Sequence, residues 1–211
     1  MTPKHALLCA VVLLGACAIG KPMPDATTYV IDPPAAAGLS VATHRPETLR
    51  MGHVRIAAAF AGNALVYRLN DVQYVRDPYN AFIAEPGAML GNRMAEWLDR
   101  DGPFATVAQP DSTRPTSFVL EATITELYGD FRAGHRPEAV LSVQFALIDQ
   151  TGTRAKVAHE CTIARRVDVA QASPDALVRG YGTALAEILA QLAPELSSES
   201  AGTRASIEPP R

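Results

Sequence analysis

The chain has 211 residues, 48% of them hydrophobic, with 19 basic against 22 acidic side chains and a formal net charge of −3. That apolar fraction supplies a sizeable core and excludes a disordered chain. Basic residues are scattered, with no cluster longer than Arg165-Arg166, which excludes nucleic acid as a partner.

At the amino terminus, Lys4 precedes an apolar run from Ala6 to Leu14. The run is too short for a bilayer span, which takes roughly 20 apolar residues, and has the charge and length pattern of a secretory signal peptide. Its end, Leu14-Gly15-Ala16-Cys17, resembles the lipobox of bacterial lipoproteins. The resemblance implies cleavage after Ala16 and acylation of Cys17 on both its thiol and its new amino group, a membrane anchor that needs no transmembrane helix. Small side chains at Gly15 and Ala16 admit a peptidase, whereas Cys9 follows the bulky Leu7 and Leu8. Ala18 stands where lipoproteins held in the inner membrane typically carry Asp, which points to the outer membrane. Residues 1–16 therefore read as a signal peptide. Residues 17–28, rich in Pro and small polar side chains, read as a lipidated tether, whose roughly 12 residues extend to about 40 Å. With the signal removed, Cys17 and Cys161 remain and no intrachain disulfide forms.

The folded domain is expected over residues 29–196. Residues 28–32, TYVID, are a candidate strand, and His53 to Phe60, Leu65 to Leu69 and Val72 to Val75 follow, separated by Gly62-Asn63 and Asn70-Asp71 turns. A helix is predicted from Pro86 to just before Gly102, with Leu90, Met94, Trp97 and Leu98 on one stripe. Phe118, Leu120, Ala122 and Ile124 alternate with polar residues, as do Leu141, Val143, Phe145 and Leu147. Each pattern predicts a strand with one dry and one wet face. Residues 128–137, YGDFRAGHRP, link these two strands, and DQTG turns the second into KVAHECTIARR, which makes an antiparallel meander. On that third strand Cys161 reads as a small buried side chain facing the same way as Val157 and Ile163. Ser173-Pro174-Asp175 opens a second helix, with Leu177, Tyr181, Leu185, Ile188 and Leu192 on one face and Pro194 as its end. Gly180 and Gly182 within it predict close packing on the sheet, since each costs about 1 kcal/mol of helix propensity. Residues 197–211 read as a disordered tail. The sum is an α+β fold: a largely antiparallel β-sheet with two main helices packed on one face.

Signatures of catalysis are missing. There is no G-x-S-x-G elbow, H-E-x-x-H, phosphate loop or dinucleotide fingerprint. Asp99-Arg100-Asp101-Gly102 is too short an acid ladder for a calcium loop and reads as a helix end. His159 and Glu160 are strand neighbours that point to opposite faces, and His135 sits in a loop. The sequence thus predicts a non-enzymatic protein with no catalytic residue, cofactor or metal ligands. Tyr67 and Trp97 read as core packing. Phe131, in the long hairpin loop, either folds back on the sheet or meets lipid or a partner, and with Arg132 and His135 it makes the candidate partner-binding surface.

The order of lipobox, TYVIDP, VYRLNDVQYVRDPYNAFIAEPGAMLGNRMAEWL, FVLEATITELYGDF, EAVLSVQFALIDQTG and SPDALVRGYGTALAEILAQLAPEL resembles the ABC-type transport auxiliary lipoprotein component family. Tyr67-Arg68, Tyr74 or Tyr79, and Trp97 match the family pattern; Ala84, two before Pro86, departs from it where a bulky aromatic is usual. The resemblance implies a periplasm-facing lipoprotein that works with an MCE-domain protein, an ABC permease and an ATPase to move phospholipid or other hydrophobic molecules between membranes. In some relatives such a lipoprotein forms a homo-oligomeric ring. ATP hydrolysis would fall to the partner ATPase. The alternative reading is an outer-membrane lipoprotein that assists envelope assembly or binds cell-wall components.

Overall fold

The computed structural model describes residues 26–34 and 45–205. The expected signal peptide, Cys17 and most of the tether lie outside the described residues. Eight strands and two long helices follow in chain order: β1 (Thr27–Tyr29), β2 (Arg45–Ile56), β3 (Ala64–Arg68), β4 (Tyr74–Phe82), α1 (Pro86–Asp101), β5 (Phe104–Ala108), β6 (Phe118–Asp130), β7 (Glu138–Asp149), β8 (Lys156–Asp168) and α2 (Pro174–Ala205).

The architecture is α+β, and the meander β6-β7-β8 is antiparallel throughout, as its alternation predicts. The rest of the sheet makes it mixed. β6 pairs parallel with β2 along its first half and parallel with β3 at its end, while β5 joins β2 and β1 joins β4, both parallel. β5 was not legible as a strand: only Phe104 and Val107 of its five residues are buried, so no clean alternation exists. β2 starts at Arg45, well ahead of the expected His53, and Ala58–Phe60 form a 3-10 turn instead of its end. Val72 belongs to the β3–β4 turn and is 90% exposed. β1 takes up the last two residues of the expected tether.

A bulge in β6 decides which side chains face the helices. Phe118, Leu120, Ala122 and Ile124 enter the core, then the register against β7 shifts between Ile124 and Glu126. Beyond the shift it is Leu127 that enters the main core, while Tyr128 faces the other way. Such an extra residue reverses the facing of all that follows it. Thr125 holds the bulge by donating its hydroxyl to Ser142 Oγ at 2.9 Å.

α1 packs over β2 and β5, and α2 over β7 and β8. Glu85 caps α1, accepting from the Ala88 N–H at 2.7 Å, and Gly102 ends it by donating its N–H to the Leu98 carbonyl. Leu90, Met94, Trp97 and Leu98 are all buried, as their stripe predicts. α2 differs from expectation at its end. Pro194 lies inside the helix, which runs on to Ala205, into the expected tail. Pro194 brings no N–H, but it is exposed, and Leu196 beyond it is fully buried, so packing carries the helix past the missing bond.

Gly180 and Gly182 are where α2 comes closest to its neighbours. A Cβ on Gly180 would stand 2.6 Å from the Ala139 Cβ, and one on Gly182 would stand 2.5 Å from the Asp32 carbonyl oxygen. In an open helix Gly→Ala gains about 1 kcal/mol. Here the sign reverses, since overpacking against backbone costs about 1–3 kcal/mol. Gly182→Ala is expected to lower the melting midpoint in thermal unfolding, whereas a helix free of the sheet would show a rise.

Candidate partner interface

The β6–β7 loop, the β3–β4 turn and the start of α2 meet at one end of the sheet. Parallel pairing of β3 with β6 sets this, because Arg68 lies beside Asp130 in register and both strands leave the sheet together. The Phe131 N–H donates to the Arg68 carbonyl at 2.9 Å, and the Val169 N–H to the Pro137 carbonyl at 2.9 Å, which fastens both arms of the loop.

Asp130 is 1% exposed and sits at the centre of this end. Arg132 donates to both of its oxygens, Nε to Oδ1 at 2.8 Å and Nη2 to Oδ2 at 2.9 Å, in the two-pronged geometry that suits guanidinium and carboxylate. Arg166 approaches Oδ2 to 3.4 Å and Arg68 to 3.9 Å. The third prong of Arg132 reaches Asp71 in the β3–β4 turn at 2.9 Å, and Arg166 also meets Glu138 at 3.2 Å and the Tyr128 hydroxyl. One buried carboxylate thus ties β3, β6, β8 and two loops. Burial opposes its ionisation, but the Arg132 hydrogen bonds and the charges of Arg132 and Arg68 outweigh that and hold its carboxyl below the usual range.

Two of the three expected partner-binding residues are taken up by this frame. Phe131 is half-buried and stacks on Tyr67 with ring centroids 5.1 Å apart, so it folds back on the sheet. Tyr67 in turn donates its hydroxyl to Asp77 at 2.6 Å. Arg132 is 23% exposed and fully engaged. His135 is exposed, along with Ala133, Gly134 and Arg136, and Gly134 takes a φ of 81° at the tip. The loop is therefore a rigid base with a polar tip. Nearby on the face away from the helices, Phe60 stacks on Tyr128 at 5.6 Å and Tyr74 meets the Tyr128 edge at 5.3 Å. Arg68 lies over the Tyr74 ring, which is 44% exposed. That half of the face is aromatic, where alternation alone predicts a wet surface. Asp71 and Arg166 escaped the sequence reading, and Asp130 read only as a charge of the hairpin loop beside His135, because charged residues near strand ends usually face solvent; the bulge at Thr125, which turns Asp130 into the frame, leaves no compositional mark.

A second histidine-bearing region is at the opposite end of β8. Among the described residues, His159, Cys161 and Glu195 are the group able to hold a metal ion. Cys161 is half-buried and faces α2 with Ile163, but the register shift near Ala158 leaves Val157 54% exposed on the other side. Burial and the adjoining Glu195 carboxylate push the Cys161 thiol up to about 12, which favours the protonated thiol at neutral pH. Asp99 ends α1 as expected, accepting from the Val107 N–H at 2.8 Å. No described helix is long and apolar enough to cross a membrane.

Because Asp130 titrates lower in the folded chain than its unfolded value of about 3.9, its contribution is complete above that pH and is lost as pH falls through the folded value. Asp130→Asn is expected to cost about 3 kcal/mol at pH 7, by leaving its arginines without their shared partner. In urea unfolding across pH 2–7 the variant should also show a shallower acid limb than wild type. An unchanged midpoint at pH 7 would show that the network adds nothing to stability.

Residues 29–193 match the family model described as ABC-type transport auxiliary lipoprotein component. Two crystal structures share the fold. Protein XCC0632 of Xanthomonas campestris, of family DUF330, superposes with a TM-score of 0.71 at 14% identity, over 85% of this chain and 99% of that one. A second, an uncharacterized protein, gives a TM-score of 0.64 at 18% identity, over 82% and 99%. No curated protein matches the chain. The family match takes in β2 to β8, α1 and α2 as far as Ala193, together with the last residue of β1, and on it the chain belongs to the ABC-type transport auxiliary lipoprotein component family.

Proposed function

We propose that this chain is the periplasm-facing lipoprotein subunit of an MCE-type ABC transport system that moves phospholipid or other hydrophobic molecules between the inner and outer membranes. The observation that carries the reading is the family match over residues 29–193 standing downstream of Leu14-Gly15-Ala16-Cys17. In this reading Cys17 is lipidated, the following residues tether the domain to the outer membrane, and the chain docks and performs no chemistry itself. An MCE-domain protein, with its permease and ATPase, is the partner, and copies of the chain assemble side by side as a ring around its end.

The docking surface we assign is the loop end of the sheet. His135 and Arg136 at the exposed tip meet the partner, while Phe131 and Arg132 hold the tip in position through Tyr67, Asp71 and Asp130. A side chain that is already fully hydrogen-bonded has little left to offer a partner, so contact falls to His135 and to Arg136, whose one pairing, to Asp168 at 3.3 Å, is exposed to solvent. Rigid support also lowers the ordering cost of binding.

The experiment is affinity purification of the tagged protein from detergent-solubilised envelopes, with mass spectrometry of co-purifying proteins and of the amino-terminal peptide. Wild type is expected to bring down an MCE-domain protein and to carry a triacylated Cys17, and Cys17→Ala to lose the acyl groups and leave the outer-membrane fraction. His135→Asp with Arg136→Asp is expected to reduce partner recovery at least tenfold, with the melting midpoint lowered only by the loss of the exposed Arg136–Asp168 pair, about 0–1 kcal/mol. A lipidated protein that arrives without an MCE-domain partner would overturn the transport reading in favour of envelope assembly. Unchanged recovery from the charge-reversed tip would overturn the assigned surface alone.

A further inference from the structure

His159 and Cys161 stand two apart on β8, so the pleat points both to the face that α2 covers. Glu195, one residue past Pro194 in α2, comes down over them. His159 Nε2 lies 3.0 Å from Glu195 Oε2, and one ligand atom from each of the three residues lies within 4.8 Å of the others. All three side chains are half-buried, between solvent and the main core. The carboxylate is steadied from outside: Gln191, one turn earlier, hydrogen-bonds Glu195, and Arg165 holds Gln191 by donating Nη2 to its Oε1 at 2.6 Å. Supporting hydrogen bonds of this kind orient ligands at metal sites.

We propose that His159, Cys161 and Glu195 bind one Zn2+ ion, with the fourth coordination position open to water or an exogenous ligand. Imidazole nitrogen, thiolate and carboxylate oxygen are the three donor types that zinc takes. The mixture of sulfur and nitrogen disfavours magnesium and calcium, which take oxygen. Zinc bonds of about 2.0–2.3 Å place tetrahedral donors about 3.3–3.8 Å apart, so the present spacing closes with side-chain movement alone. As the Zn–S bond forms, the S–H bond of Cys161 breaks and its proton passes to solvent; nothing is oxidised or reduced. The imidazole ligates through its Nε2 lone pair, and Glu195 exchanges its contact with His159 for one with the metal. The ion would join the edge strand β8 to the second half of α2, beyond the exposed Pro194 where the helix lacks a backbone bond.

The test is titration of Co2+, then Zn2+, into the full chain in detergent micelles under reducing, chelator-free conditions. Wild type is expected to develop a sulfur-to-cobalt charge-transfer band and tetrahedral visible bands that saturate at one equivalent and are bleached by Zn2+. Cys161→Ser should lose the charge-transfer band while keeping every other cysteine of the chain. Glu195→Gln, close in volume, should bind at least tenfold more weakly and lose the rise in melting midpoint that Zn2+ gives wild type. No band in wild type, or a band of equal strength in Cys161→Ser, would overturn the proposal, as would an undiminished affinity in Glu195→Gln.

Discussion

At Thr125 the central strand β6 carries a register shift against β7, fastened by a hydroxyl bond to Ser142. Everything on either side depends on that step. Ahead of it, Phe118 to Ile124 pair with β2 and feed the core beneath α1; past it, Gly129 and Asp130 pair with β3. A strand that continued in register would have sent Leu127 to the outer face and Tyr128 into the helices. The bulge keeps the core continuous below and frees Tyr128, with Asp130 two residues on, to organise the opposite face.

That opposite face has an order of its own. Two-layer α/β packing leaves one side of a sheet to water, and a long open sheet with bare edges invites unwanted pairing. Here Phe60, Val66, Tyr128 and Val140 form a second, smaller cluster on the uncovered side. Beside it, the buried Asp130 gathers three arginines into a lattice that fixes the neighbouring loops. A buried carboxylate is costly unless it is fully paired, and full pairing makes a stiff structure. Stiffness at a loop end suits the docking proposed for it, since little freedom is left to lose on binding.

The two ends of β8 serve different purposes. Arg166 near one end belongs to the Asp130 network, while His159 and Cys161 toward the other face Glu195 beneath α2. At the Arg166 end the helix seats itself by small residues, with Gly180 against Ala139, the partner of Val167, and Gly182 against the Asp32 carbonyl. The short β1 segment, ahead of Asp32, is held to the domain by its parallel pairing with β4.

Much of this was legible in the residues. Alternation over Phe118 to Ile124 and Leu141 to Leu147, the Pro86 and Ser173-Pro174 helix starts, and the glycine pair in α2 are local signals, and each element formed where they lie. The α+β class and the family resemblance followed from their order. The sequence did not disclose the parallel pairings of β2 and β3 with β6, the strand β5, the continuation of α2 through Pro194, or the union of His159, Cys161 and Glu195. Those are non-local: they arise when segments far apart in the chain are brought together by burial, and burial outweighs local preference at Pro194 and at the bulge. By itself the sequence determined the β6–β8 meander, the two helices and the dry face of each as far as the first register shift. Only the tertiary structure decided which charges became a buried lattice and which donor atoms came within reach of one ion, because those distances depend on registers that no local pattern encodes.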